Sequence, residues 1–211
     1  MSKVQEVIKT IPESVTVVGV TKYSDIEVAR GLIEAGVTHL GENRADGFLE
    51  KYHALGSEVT WHFIGSLQTR KVRDVIEHID FLHSLDRITL AAEIQKRSSK
   101  KVKCFVQVNA SGEASKHGMD PNGVIDFVLQ LAQFDKIQVV GLMCMAPETE
   151  DEQAIRNCFS LLRRLQQKIN SLNLEYAPCT ELSMGMSGDY EIAIEEGATF
   201  VRLGRVLVRS D

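Results

Sequence analysis

Eight short runs rich in β-branched residues alternate with seven longer stretches of helical spacing, and this alternation constrains the fold more than any other feature. The runs are VTVVGVT, VTHLGEN, VTWHFIG, IDFLHSL, VKCFVQVN, IQVVGLMCM, CTELSMG and ATFVRLG. Between them lie DIEVARGLIEAG, RADGFLEKYHAL, QTRKVRDVIEHI, RITLAAEIQKRSS, NGVIDFVLQLAQF, EQAIRNCFSLLRRLQQKINSL and DYEIAIEEG. In the longest of these, Ile155, Cys158, Phe159, Leu162, Leu165 and Ile169 fall three or four apart, with arginine, glutamine and lysine between them. A strand, a helix and a second strand in succession make a right-handed crossover in a parallel sheet. Eight such units predict a closed (β/α)8 TIM-type barrel of the α/β class, with one competitor, an open doubly wound sheet. The amphipathic segment MSKVQEVIKTIPESV is expected to form an N-terminal helix and to cover the gap left by a missing last helix. No glycine-, serine- or proline-rich linker interrupts the pattern, so residues 1–211 read as a single domain.

Composition excludes several classes of function. A chain that is 44% hydrophobic and 25% charged is neither disordered nor fibrous. Its formal net charge of −5 argues against nucleic-acid or anionic-membrane partners. No apolar run approaches the roughly 20 residues that span a bilayer, and the N-terminus carries two glutamates where a secretory signal is apolar. Cys104, Cys144, Cys158 and Cys179 form no CxxC pair, which predicts reduced thiols in a cytoplasmic protein. The six histidines show no HExxH spacing, so no metal is expected.

In a barrel of this kind, chemistry sits where strands end and helices begin. The first run ends by delivering Lys22, an amine that can form Schiff bases when its pKa is moved, or simply a surface charge. The second ends in GENR, placing Asn43 at the mouth, and the fifth places Asn109 there; either asparagine can bond a ligand oxygen or cap a turn. The seventh leads through LSMGMSGD straight into a helical pattern. Its small residues allow backbone N–H groups to meet an anion, although Ser187 followed by Asp189 and Glu191 also suits a helix N-cap. The eighth ends in RLGR, where Gly204 and Arg205 adjoin the same corner, the usual phosphate corner of such barrels. Arg202, two residues before Gly204, points either into the mouth or into a salt bridge within the barrel. His62 in WHFIG is an acid/base candidate or, more simply, a satisfied barrel histidine. Glu42 and Glu181 are available to balance Lys22 or Arg44. A strand-end lysine, a phosphate corner and an arginine suit pyridoxal 5′-phosphate, and equally a cofactor-free Schiff-base aldolase acting on a sugar phosphate.

Together VGVTKY, GENR, HFIGSLQ, QVN…GEASKHG, GLMCMAP, LSMGMSGDYEIAI and GATFVRLG resemble the pyridoxal-phosphate homeostasis protein family, from about residue 4 to residue 208. These are single-domain barrels similar to the N-terminal domain of alanine racemase. The resemblance implies that Lys22 carries pyridoxal 5′-phosphate as an internal aldimine. It implies phosphate contacts at Ser187, Gly204 and Arg205, with Ser183 and Met184 lining that corner, Arg202 facing the pyridine nitrogen and Asn43 near the ring. It further implies a monomer that holds and releases the cofactor for vitamin B6 and amino-acid homeostasis, with cofactor-dependent apoenzymes as recipients and no catalytic residues. An amino-acid racemase is the alternative. The resembling racemases bring their second base, a tyrosine, from a separate C-terminal domain, whereas this chain ends seven residues after Gly204. Three departures from the family pattern stand outside the cofactor set: Arg70 before Lys71, Ala45-Asp46-Gly47 after GENR, and the ending RVLVRSD.

Overall fold

The first strand pairs on both of its edges, which closes the sheet. In the computed structural model, which describes residues 1–114 and 117–208, β1 (Thr16–Val20) is hydrogen-bonded to β2 (His39–Glu42) on one side and to β8 (Phe200–Leu203) on the other. Between them run β3 (Thr60–Phe63), β4 (Phe81–Leu85), β5 (Val102–Gln107), β6 (Ile137–Met143) and β7 (Glu181–Ser183), every pair parallel. The architecture is therefore the closed eight-stranded TIM-type barrel, and the open doubly wound sheet is excluded. Ser115 and Lys116 of the GEASKHG motif, and the last three residues of RVLVRSD, lie outside the described residues.

Each crossover is built by its sequence. Helix α2 (Ile26–Glu34) starts where the Asp25 carboxylate accepts from the Val28 N–H at 2.9 Å. Helix α3 (Ala45–Leu55) follows β2, α4 (Thr69–Val75) follows β3 and α5 (Ile88–Arg97) follows β4. After β5 come α6 (Val124–Gln130) and its flanking 3₁₀ turns. Helix α7 (Glu152–Asn170) is capped by Asp151 and buries Ile155, Cys158, Phe159, Leu162 and Ile169, five of the six positions in the stripe read from the sequence, with Leu165 half-buried against the core. Helix α8 (Tyr190–Glu195) links β7 to β8. The N-terminal helix α1 (Lys3–Lys9) carries a Ser2–Gln5 capping box. It packs on α9 (Arg205–Val208), a single turn that follows β8. Among the described residues the last helix is thus a single turn rather than missing, and α1 rests against it.

Two layers of core result. Leucine, valine and isoleucine fill the space between the strands and the helices. Inside the barrel, Val18, Phe105, Val140, Met143 and Phe200 pack together with Phe81. Above and beside these rings the interior is polar, with His62, His83, Ser183 and Arg202 all buried. Among the described residues no helix is long and apolar enough to cross a membrane.

Candidate functional site

Two residues beyond β1 the chain presents Lys22 at the rim, exposed, with Nζ 5.1 Å from the centroid of the Tyr23 ring. The shelf beneath it is buried and charged. Thr21 Oγ1 donates to Glu42 Oε1 at 2.6 Å, Lys51 Nζ donates to the same oxygen at 2.6 Å, and Lys51 Nζ also donates to the Thr21 carbonyl at 2.8 Å. The peptide that carries Lys22 is therefore anchored from below by a second ammonium. Glu42 balances Lys51 rather than Lys22 or Arg44, which corrects the sequence expectation; Arg44 instead lies 3.5 Å from the exposed carboxylate of Asp46. The signal for Lys51 was present in α3, whose buried positions are Ala45, Phe48, Lys51 and Leu55, one stripe at helical spacing.

The corner between β7 and β8 is built from a turn. Gly185 has φ +101°, and a Cβ there would stand 2.6 Å from that of Ala193, so only glycine fits. The turn brings Ser187 back against β8, where its Oγ accepts from the Gly204 N–H at 3.3 Å and from the Val206 N–H at 3.2 Å. Ser187 is thus no cap of α8. The residue in that place is Asp189, whose carboxylate accepts from the Met186 N–H at 2.7 Å and makes no cap bond to the helix. Two amides converging on one oxygen is the arrangement an anion uses, and Arg205 stands exposed beside them. Met184 does not line this corner. Ser183 faces the interior, so by strand alternation Met184 turns outward, and its fully buried side chain joins the core between barrel and helices.

Arg202 occupies the barrel interior, 4% exposed. Its Nη1 donates to Ser183 Oγ at 2.6 Å and its Nη2 to the Cys144 carbonyl at 3.0 Å. Burial pulls its pKa down from the usual guanidinium value, with Cys144 and Asp189 opposing. Both hydrogen-bond partners are neutral, and among the described residues no carboxylate lies within ion-pairing distance, which sets aside the internal salt bridge. Asn43 Oδ1, at the end of β2, is buried without a partner, whereas Asn109 serves its own turn through Glu113 and Ser111. The neighbour of Asn43 is Gly65, where a Cβ would come within 2.4 Å of the Asn43 carbonyl oxygen. His62 bonds to His39 and His83 and is held well below the ordinary histidine pKa by burial first and His39 second.

The order β7, β8, β1, β2 around the barrel sets Ser187, Gly204, Arg202, Lys22 and Asn43 on four adjacent strand ends. Residues 2–210 match the family described as alanine racemase, N-terminal domain, so fold and sequence together define a barrel of that class. A curated pyridoxal phosphate homeostasis protein of Aquifex aeolicus is 41% identical over 194 residues, covering 90% of this chain and 84% of that protein. PipY of Synechococcus elongatus, solved with pyridoxal phosphate bound, aligns with a TM-score of 0.90 at 31% identity over 98% of each chain. An alanine racemase of Clostridium difficile gives a TM-score of 0.84 at 15% identity over 99% of this chain and 56% of the racemase, a likeness of fold alone. The chain belongs to the pyridoxal phosphate homeostasis protein family.

Proposed function

We propose that this protein binds pyridoxal 5′-phosphate in the barrel mouth, covalently through Lys22 Nζ, and serves intracellular vitamin B6 and amino-acid homeostasis without turning over amino acids. The observation that carries the reading is the β7–β8 corner, where the Gly204 and Val206 amides already converge on an oxygen. Ser187 and these amides hold the phosphate, and Arg205 adds charge. Val206 was invisible to sequence reasoning because it contributes backbone alone. Two further features fit the same group: the orphaned Asn43 Oδ1 and a buried guanidinium whose hydrogen-bond partners, Ser183 Oγ and the Cys144 carbonyl, are both neutral. Arg202 faces the ring nitrogen, and Ser183 holds Arg202 rather than touching the cofactor. When bound, the cofactor supplies an aldehyde that takes an amine and a ring that draws electrons from it.

Retention rather than catalysis is supported by the openness of the rim. Lys22 is exposed and Tyr23 is 88% exposed, so water is not excluded from the reactive amine. Racemisation needs a base on each face of the substrate carbon. Of the two tyrosines near strand ends, Tyr190 bonds to Thr10 of the N-terminal segment and Tyr23 stands in solvent. The protein works as a cytoplasmic monomer and passes the cofactor to apoenzymes that need it. Equilibrium binding of pyridoxal 5′-phosphate against pyridoxal tests the phosphate corner. Each charge-assisted bond is worth roughly 1.5–3 kcal/mol, so pyridoxal binds orders of magnitude more weakly; equal affinities would overturn the reading.

A further inference from the structure

A line of hydrogen bonds climbs through the barrel from its base to Arg202. His39 opens β2 at the base. His62 stands on β3 two residues beyond Thr60, the register partner of His39, and His83 stands on β4 two beyond Phe81, the partner of His62. Each step crosses one strand and rises two residues, as the tilt of barrel strands dictates. His39 Nδ1 lies 2.8 Å from His62 Nε2, His62 Nδ1 lies 2.7 Å from His83 Nε2, and His83 Nδ1 lies 2.8 Å from Ser183 Oγ. The rings are fixed laterally: His62 stacks on Phe81 with centroids 4.6 Å apart, and His83 on Phe105 at 4.4 Å.

We propose that Arg202 sets the direction of every proton in this line, so that His39, His62 and His83 each carry their proton on Nε2, and that the three histidines are positioning residues holding Ser183 and Arg202 for the ring of the bound cofactor. The second half rests on the reading of the mouth given above. A guanidinium only donates, so Ser183 Oγ accepts from Arg202. The single serine proton then goes to His83 Nδ1, the other partner of that oxygen among the described residues. With Nδ1 accepting, His83 donates from Nε2 to His62 Nδ1, and His62 donates from Nε2 to His39 Nδ1. One proton fits in each contact. A proton added to any of these rings reverses the bonds between it and Ser183 and leaves the serine hydroxyl without its acceptor. Burial acts in the same direction, lowering all three histidines. The facing charges do not overturn this: Asp80 favours a charged His39 but is outweighed by burial, His62 faces His39, His83 faces His62 and Arg202, and Lys103 lies over the Phe81 ring behind them.

Side-chain ¹⁵N NMR on the cofactor-free protein reads the proton order with no cofactor present. The three imidazoles are expected as neutral Nε2–H tautomers at about pH 8, and those of His62 and His83 do not titrate between about pH 5.5 and 8, the range in which free histidine changes charge. An Nδ1–H tautomer at any of the three, or a titrating signal at His62 or His83, overturns the order. His83→Phe keeps a ring against Phe105 and removes the acceptor. Affinity for pyridoxal 5′-phosphate is expected to fall at least about tenfold with a shifted absorbance band, while inorganic phosphate binds as in the wild type. His83→Gln, which restores an acceptor, is expected to recover part of the loss. Unchanged affinity and band, or an equal loss of both ligands, overturns the positioning role. A wild-type protein that takes up no cofactor removes the reading of the mouth and the positioning role with it, and the NMR result still decides the proton order.

Discussion

Acidification should strip this barrel of stability through two residues that never touch solvent. His62 and His83 are fully buried, and burial first, with the adjoining histidines and, for His83, Arg202 disfavouring an added charge, holds both well below the ordinary histidine pKa. In the unfolded chain each titrates near about 6.5. Below that value the unfolded state binds protons that the folded state refuses, so stability is fully present above it and is lost as pH falls toward the folded values. For one such histidine, taking the pH from about 7.5 to about 5.5 costs RT ln[(1 + 10)/(1 + 0.1)], about 1.4 kcal/mol; the pair costs about 2.7 kcal/mol. His39 is lowered as well and adds a smaller amount of the same sign. Asp46, Glu77 and Glu93 are also depressed, but their contributions are lost only as pH falls below the unfolded carboxylate range, outside this window. Denaturant unfolding at fixed ionic strength and three pH values across the window measures the fall, and a constant m-value confirms that stability alone has changed. His62→Phe is expected to remove about half of the pH dependence, about 1.4 kcal/mol, whatever its effect on stability at neutral pH. A wild-type stability that is flat across the window would refute the neutral, buried line of histidines.

Lys51→Met leaves the Glu42 carboxylate buried and unpaired, which should cost about 3–5 kcal/mol in chemical denaturation; adding Glu42→Gln should recover most of it, and a single-variant cost under about 1 kcal/mol would contradict the shelf beneath Lys22. At Gly204 an added Cβ meets nothing closer than 3.5 Å and φ is not positive, so Gly204→Ala should leave the melting temperature unchanged while weakening pyridoxal 5′-phosphate binding. Gly65→Ala, by contrast, drives a methyl to 2.4 Å from the Asn43 carbonyl oxygen and should be destabilising in the same melts. Incubated with L- or D-alanine in D₂O and followed by NMR, the protein should give at most slow α-proton exchange; sustained inversion that disappears in Lys22→Ala would mark a racemase.

The barrel was legible because its rule is local. Each strand run and each helical stripe is contained in one short stretch of chain, and α7 buries all but Leu165 of the positions its spacing predicts. That Lys22, Asn43, Ser187 and Gly204 follow strand ends was legible for the same reason, since strand ends are where local patterns change. What escaped was written in register. His39, His62 and His83 sit 21 to 23 residues apart on separate strands, and Ser183 lies 100 residues beyond His83, so nothing in their spacing announces a contact. Strand tilt makes the line. Ser187 was ambiguous between cap and anion site because its partners, 17 and 19 residues on, belong to another strand end. Met184 was misplaced although alternation after an inward Ser183 already turned it outward, and Lys51 was overlooked because lysine on a helix reads as solvent-facing. The final turn, four residues long among those described, is too short for any periodicity to reveal.

The most direct measurement joins spectrum to position. The purified protein is mixed with pyridoxal 5′-phosphate, reduced with borohydride, digested and mapped by mass spectrometry. The cofactor is expected as a fixed adduct on the peptide containing Lys22, absent from Lys22→Ala with the phosphate corner intact. An adduct carried mainly by Lys51 or another lysine, or no stoichiometric adduct at all, would contradict the assignment of the barrel mouth.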